Sequence, residues 1–329
     1  MRLLLIFTIS LVWISCSTKK QIGKIEVWDQ ELSTVIDTTL STTLLAEGFI
    51  WSEGPLWLDR ENKLIFTDVP KNIIWSWDEK NGLQKYLQPS GYTLAEVGNA
   101  GEGANGLLLN ANNQLILCQH GDRRMALMQS DLNNPSANFI TIVSKWGNKR
   151  FNSPNDAIYD KKGNLYFTDP PYGLKNDDQD SLKEISFSGL FLYTKTDSLK
   201  LLSTQFTRPN GLALFPGDSL LLVANSDPTQ AYWKLLSIKN DSIINEKIWL
   251  DATYKTTTEP GLPDGLKINS KGIVFATGPG GVWIFNNQGK VLGRIVLPVP
   301  SANCALHAKE NYLYITAEKY LLGIELKQP

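Results

Sequence analysis

From residue 50 onward the chain shows no sustained helical period; short alternating apolar runs recur instead. Six of them match one another, at residues 64–68, 115–119, 165–169, 221–225, 273–277 and 313–317, and each closes on a small or polar residue. Turn signals such as Lys162-Gly163-Asn164 and Ser270-Lys271-Gly272 precede these runs. A polar residue stands nine to eleven positions ahead of every run: Glu53, Asn105, Asn155, Asn210, Asp264 and Asn303, spaced by 52, 50, 55, 54 and 39 residues. A third apolar run follows, as at residues 73–77, 189–193 and 282–285. Six repeats of three or four antiparallel strands predict an all-β, six-bladed β-propeller over residues 41–329. The last repeat is too short for four strands. Residues 42–46 are expected to supply its fourth and so close the ring without a free edge. A twelve-strand sandwich or two separate β domains leaves the one polar anchor per repeat unexplained.

In a propeller the first strand of each blade lines the axis, so the six anchors converge on one region of the central channel. Two carboxylates and four amides buried there without partners would cost about 1–3 kcal/mol each. An all-oxygen cage of this kind suits a hard divalent cation, Ca²⁺ ahead of Mg²⁺ or Mn²⁺. Asn-Gly and Asp-Gly are also turn dipeptides, and any one of them alone would be read that way. Six at equivalent positions predict a central metal site instead. The loops after the second strands return to the same face, which puts His120 beside the site. Residues 174–185 form a charged insertion there, a candidate lid. His307 falls toward the opposite face and reads as structural. There is no Gly-x-Ser-x-Gly elbow, and two histidines are too few for a His-rich zinc centre.

Charge acts mainly by exclusion. Lys+Arg 32 against Asp+Glu 33 leaves no basic excess for a nucleic-acid backbone, so no such partner is expected, and a monomer is. The N-terminus is distinct: Met1-Arg2 precedes an apolar run over residues 3–14, then Ser15-Cys16-Ser17. This is shorter than the roughly 20 residues that span a bilayer and reads as an export signal. Residues 1–15 are expected to be a lipoprotein signal peptide and residues 16–40 a tether. Cys16 resembles the acylated cysteine of bacterial lipoproteins, which implies a membrane anchor and a periplasmic or cell-surface location. Cys118 and Cys304 sit in apolar sequence and read as buried free thiols rather than a disulfide.

Several motifs together carry a family resemblance. They are Ser52-Glu53-Gly54-Pro55, Cys118-Gln119-His120-Gly121-Asp122-Arg123-Arg124, Ser153-Pro154-Asn155-Asp156, Arg208-Pro209-Asn210-Gly211-Leu212, Pro263-Asp264-Gly265 and Asn303-Cys304-Ala305. From about Leu44 to Leu326 the chain resembles the SMP-30/gluconolactonase/luciferin-regenerating-enzyme-like propellers. The resemblance implies hydrolysis of a sugar (aldono-) lactone. It matches the family's metal ligands to Glu53, Asn155, Asn210 and Asp264, and the candidate base to Asp264. It places His120 in the substrate pocket, a second catalytic candidate. Ca²⁺ is the expected ion, with Mg²⁺, Mn²⁺ or Zn²⁺ as alternatives. The cation would polarise the carbonyl while Asp264 or a metal-bound water attacks, and Asn105, His120 and Arg123 would bind substrate. Two rivals are an arylesterase or phosphotriesterase on the same site and a non-catalytic sugar-binding propeller. Where most relatives have a Gly-rich stretch after Ala305, this chain has Leu306-His307-Ala308.

Overall fold

A computed structural model describes residues 20–93 and 102–328. Six antiparallel sheets follow one another around an axis. Their first strands are Ser52–Leu58, Ala104–Leu109, Ala157–Tyr159, Pro209–Leu214, Leu266–Ile268 and Asn303–Leu306. Blades are numbered one to six in that order. In blade six the strand Thr42–Glu47 pairs with Tyr320–Glu325, Ala46 lying opposite Leu321, so the start of the propeller closes its end. The expected fourth strand is therefore present. A short hairpin, Lys145–Trp146 with Lys149–Arg150, links blades two and three. Among the described residues no helix is long and apolar enough to cross a membrane.

The apolar runs become second strands, and their near-continuous hydrophobicity has a simple origin. Each blade is covered on both faces by its neighbours. Leu64 and Phe66 pack toward blade six with Tyr314 and Leu321, whereas Ile65 between them packs toward blade two with Leu115 and Leu117. The same division gives one buried cluster in every gap between blades. Cys118 and Cys304 belong to two of these clusters as free, buried thiols.

Residues 21–36 depart from the expected tether. Gln21–Ile22 adds a fifth strand to blade six, and Lys24–Val27 adds one to blade five against Val291–Val296. A 3₁₀ turn follows at Gln30–Thr34, capped by Asp29, whose carboxylate accepts the Glu31 N–H at 2.9 Å. Leu32, Val35 and Ile36 then bury themselves in the cluster between blades five and six. Those apolar residues make the segment a strap on the propeller rim. Cys16 and the rest of residues 1–19 lie outside the described residues.

Candidate active site

The polar ends of the second strands position the anchors. The Asp68 carboxylate accepts the N–H groups of Ile50 and Trp51, just ahead of Glu53. Asp169 accepts those of Asn152 and Ser153, both at 2.8 Å, just ahead of Asn155. Asn225 accepts the Arg208 N–H at 2.9 Å, just ahead of Asn210. One residue earlier, hydroxyls reach across to the next blade: Thr67 donates to the Asn105 carbonyl and Thr168 to that of Asn210.

Of the glycines after the anchors, Gly54, Gly106 and Gly211 lie within first strands and Gly265 immediately before one, not in turns. A Cβ on Gly54, whose φ is +47°, would stand 2.0 Å from the Asn105 carbonyl oxygen. One on Gly211 would stand 2.4 Å from that of Asp264. Glycine therefore lets adjacent blades meet at the axis, and this accounts for the Asn-Gly and Asp-Gly pairs. Gly54→Ala is expected to destabilise the fold by about 2 kcal/mol or more, through strain and overpacking, in a denaturant titration.

Five of the six anchors, Glu53, Asn105, Asn155, Asn210 and Asp264, floor one cavity of about 600 Å³. Asn303 does not face it. Its Nδ2 donates to Glu53 at 3.3 Å and to Asp156 at 3.5 Å, and its Oδ1 accepts from Lys267 at 3.3 Å. Asp156 was not among the expected site residues. It occupies the position after the anchor where four other blades carry glycine, and so brings a third carboxylate to the axis.

These carboxylates resist ionisation. Burial, with repulsion from Asp156, pushes Glu53 up to about 7, although the Gly54 N–H and Asn303 oppose the shift. Burial and the charges of Glu53 and Asp156 raise Asp264 well above the usual carboxylate range. Asp264 lines the cavity, and its Oδ1 has no hydrogen-bond partner; neither have the Oδ1 atoms of Asn210 and Asn105. Among the described residues no three His, Cys, Asp or Glu side chains are arranged to hold an ion. Carboxylates alone therefore do not make a site here, and the amide side chains of Asn155 and Asn210 line the same cavity. A pit with surplus acceptors and reluctant carboxylates fits a hard cation.

His120 lines the cavity as expected. Its Nδ1 lies 3.3 Å from Glu102, a residue that no sequence signal singled out, and its buried Nε2 has no partner. The carboxylate favours the tautomer protonated at Nδ1, which leaves the Nε2 lone pair available. Arg123 corrects an expectation. It does not line the cavity; it turns away on a left-handed backbone (φ +56°), and its Nε donates to the Phe151 carbonyl at 2.7 Å. The insertion at residues 174–185 is held by buried Leu174 and Ile185 and by the Arg208–Asp178 pair at 2.8 Å. Arg208 also lies over the ring of cavity-lining Tyr172. His307 packs against Trp57, the ring centres 4.5 Å apart and the planes tilted by 44°, and does not line the cavity.

Residues 51–319 match the family described as SMP-30/Gluconolactonase/LRE-like region. The chain belongs to that family. This member is 34% identical over 315 residues to a gluconolactonase of Zymomonas mobilis, covering 93% of this chain and 87% of that protein. Among solved structures it superposes on a gluconolactonase of Xanthomonas campestris with a TM-score of 0.81 at 22% identity, covering 94% and 98% of the two chains. It also resembles regucalcin of Agrobacterium tumefaciens, a calcium-binding protein, with a TM-score of 0.67 at 13% identity over 87% and 94%. At those identities the two structures speak for the fold alone.

Proposed function

We propose that this family member is a lactonase that hydrolyses a sugar lactone in the axial cavity, with a divalent cation held by Glu53, Asn155, Asn210 and Asp264. The observation that carries the reading is the pair of unpartnered oxygens, Asp264 Oδ1 and Asn210 Oδ1, beside buried Glu53 on the cavity floor. The similarity to the Zymomonas gluconolactonase supports the substrate class, and regucalcin's calcium binding supports Ca²⁺. When bound, the cation would supply Lewis-acid polarisation of the lactone carbonyl.

The chain's own groups account for the rest. Asp264, a cavity-lining carboxylate whose Oδ1 has no other partner, takes the proton from the attacking water. Asn105 offers an unpaired Oδ1 to a substrate hydroxyl. His120, oriented by Glu102, offers Nε2 as a second acceptor for a hydroxyl or for a proton in transit. Glu102→Gln removes the charge that fixes the tautomer. It should lower kcat about tenfold or more, with metal affinity unchanged by calorimetry.

The upper walls favour a second reading on the same site. Trp51, Val69, Pro70, Pro228, Leu262 and Pro300 form an apolar collar above the polar floor. Such a collar suits the apolar leaving group of an aryl ester or phosphotriester. A panel of aldonolactones, aryl acetates and phosphotriesters, assayed after chelation and after re-addition of Ca²⁺, Mg²⁺, Mn²⁺ or Zn²⁺, separates the readings. The expected result is metal-restored turnover of aldonolactones by at least about tenfold over the other classes. Equal turnover in the chelated protein would remove the cation from the reaction.

A further inference from the structure

We propose that Arg294 is a positioning residue through which the N-terminal strap holds one wall of the cavity. That wall is a strandless segment, and Glu259, Pro260, Gly261 and Leu262 of it line the cavity. Both oxygens of Glu259 are taken by the Arg294 fork: Nη2 donates to Oε1 at 2.9 Å and Nη1 to Oε2. Arg294 stands on Val291–Val296, directly opposite Glu26 of the strap, and its Nε donates to Glu26 at 2.6 Å. The guanidinium carbon lies 5.4 Å from the ring centre of Trp28, which belongs to the strap, and 5.8 Å from that of Trp283 in blade five. A third hydrogen-bond partner, the Pro279 carbonyl at 3.2 Å from Nη1, fixes the head group to the loop whose Gly280 N–H in turn bonds the Pro260 carbonyl.

The arrangement has a direction. Among the described residues the other ties of the 256–262 segment are turn bonds back to Thr253 and Lys255, among them the Glu259 N–H to the Lys255 carbonyl at 3.0 Å, the Lys255–Glu259 pair at 3.2 Å, and the Thr256 hydroxyl to the Pro228 carbonyl at 2.9 Å. Arg294 is 6% exposed, so its orientation rests on the groups around it, and two of these, Glu26 and Trp28, come from the strap. A lysine could not replace the fork, because a point charge cannot bridge Glu26 and Glu259 in one geometry. The segment expected to tether the protein thus ends in contacts one residue removed from the substrate wall. The inference takes the axial cavity as the substrate site, as proposed above, but one of its readouts does not depend on activity.

The test compares the full chain with the double variant Glu26→Gln/Trp28→Ala, and with Arg294→Lys. Hydrogen exchange at the amides of Glu259 and Gly280, which bond the Lys255 and Pro260 carbonyls, should quicken about tenfold or more in both, with the blade-two strands unchanged. On glucono-δ-lactone, KM should rise about five- to thirtyfold while kcat stays within about twofold. Glu26→Asp, which keeps the carboxylate, should return KM most of the way. A strap that only stabilises the fold would lower the melting temperature and the active fraction, yet leave KM and exchange at Glu259 and Gly280 as they were. That result overturns the proposal. Quickened exchange with unchanged KM upholds the positioning and instead removes the lactone from this wall. If the unaltered protein turns over no lactone, exchange alone decides.

Discussion

Asp264→Asn is expected to reduce lactone turnover by about two to four orders of magnitude, the range for loss of a general base, while the protein still binds its cation. The substitution is nearly isosteric. It keeps an oxygen at the cavity floor and removes the carboxylate that accepts the proton. It also removes one of the three charges that repel one another on the axis, so the variant should fold at least as stably as the original without metal. Loss of activity with equal or greater stability is the diagnostic combination, because an unfolded variant would lose both. The readouts are kcat on glucono-δ-lactone, calorimetric metal affinity and the melting temperature in chelator. Turnover near the original level with the cation bound would take the proton-accepting role from Asp264. His120, already paired with Glu102 and carrying an open Nε2, would then be the group to test.

The fold was legible because a propeller repeats its physics. Each second strand is buried on both faces, so it reads as an apolar run, and each first strand begins with one polar group that the axis must accommodate. That pattern led to the six anchors and to the closing strand at Thr42–Glu47. The parts that stayed hidden lack repetition. Asp156 is the one charged residue at a position that is glycine in four other blades, and its importance comes from neighbours that no local sequence reveals, Asn303 and Lys267. Glu102 meets His120 only because blade two brings its entry loop beside the loop after its second strand. Arg123 sits in a motif with His120, yet one left-handed turn residue aims it elsewhere. The strap was hidden for another reason: its apolar residues are few and widely spaced, and they gain meaning only against the gap between blades five and six.

Glu53→Gln should abolish cation-dependent stabilisation, and it should do so with a pH signature. Glu53 is held at about 7 in the folded chain, above its ordinary 4.5, chiefly by burial. A carboxyl raised in this way contributes stability that is fully present below the unfolded value and is lost as pH rises through the folded one. In chelator the protein should therefore be most stable near pH 5 and lose on the order of 3 kcal/mol toward pH 8 from this residue, with Asp264 adding in the same direction. Carboxylates that are lowered by partners, such as Glu259 beside Arg294, weaken the fold only at more acid pH and do not mask the trend. Adding Ca²⁺ should reverse it, since ligation requires the ionised carboxylate and the ion supplies the missing positive charge. The gain on adding metal should thus grow from pH 5 to pH 8. Glutamine at position 53 is neutral throughout, so the chelated variant should show a flatter profile, and Ca²⁺ should no longer raise its melting temperature. A scan of melting temperature against pH, with and without Ca²⁺, for both proteins checks all of this at once. If the original chain in chelator is equally stable at pH 5 and pH 8, the axis carries no strained negative charge, and the case for a cation among these anchors falls with it.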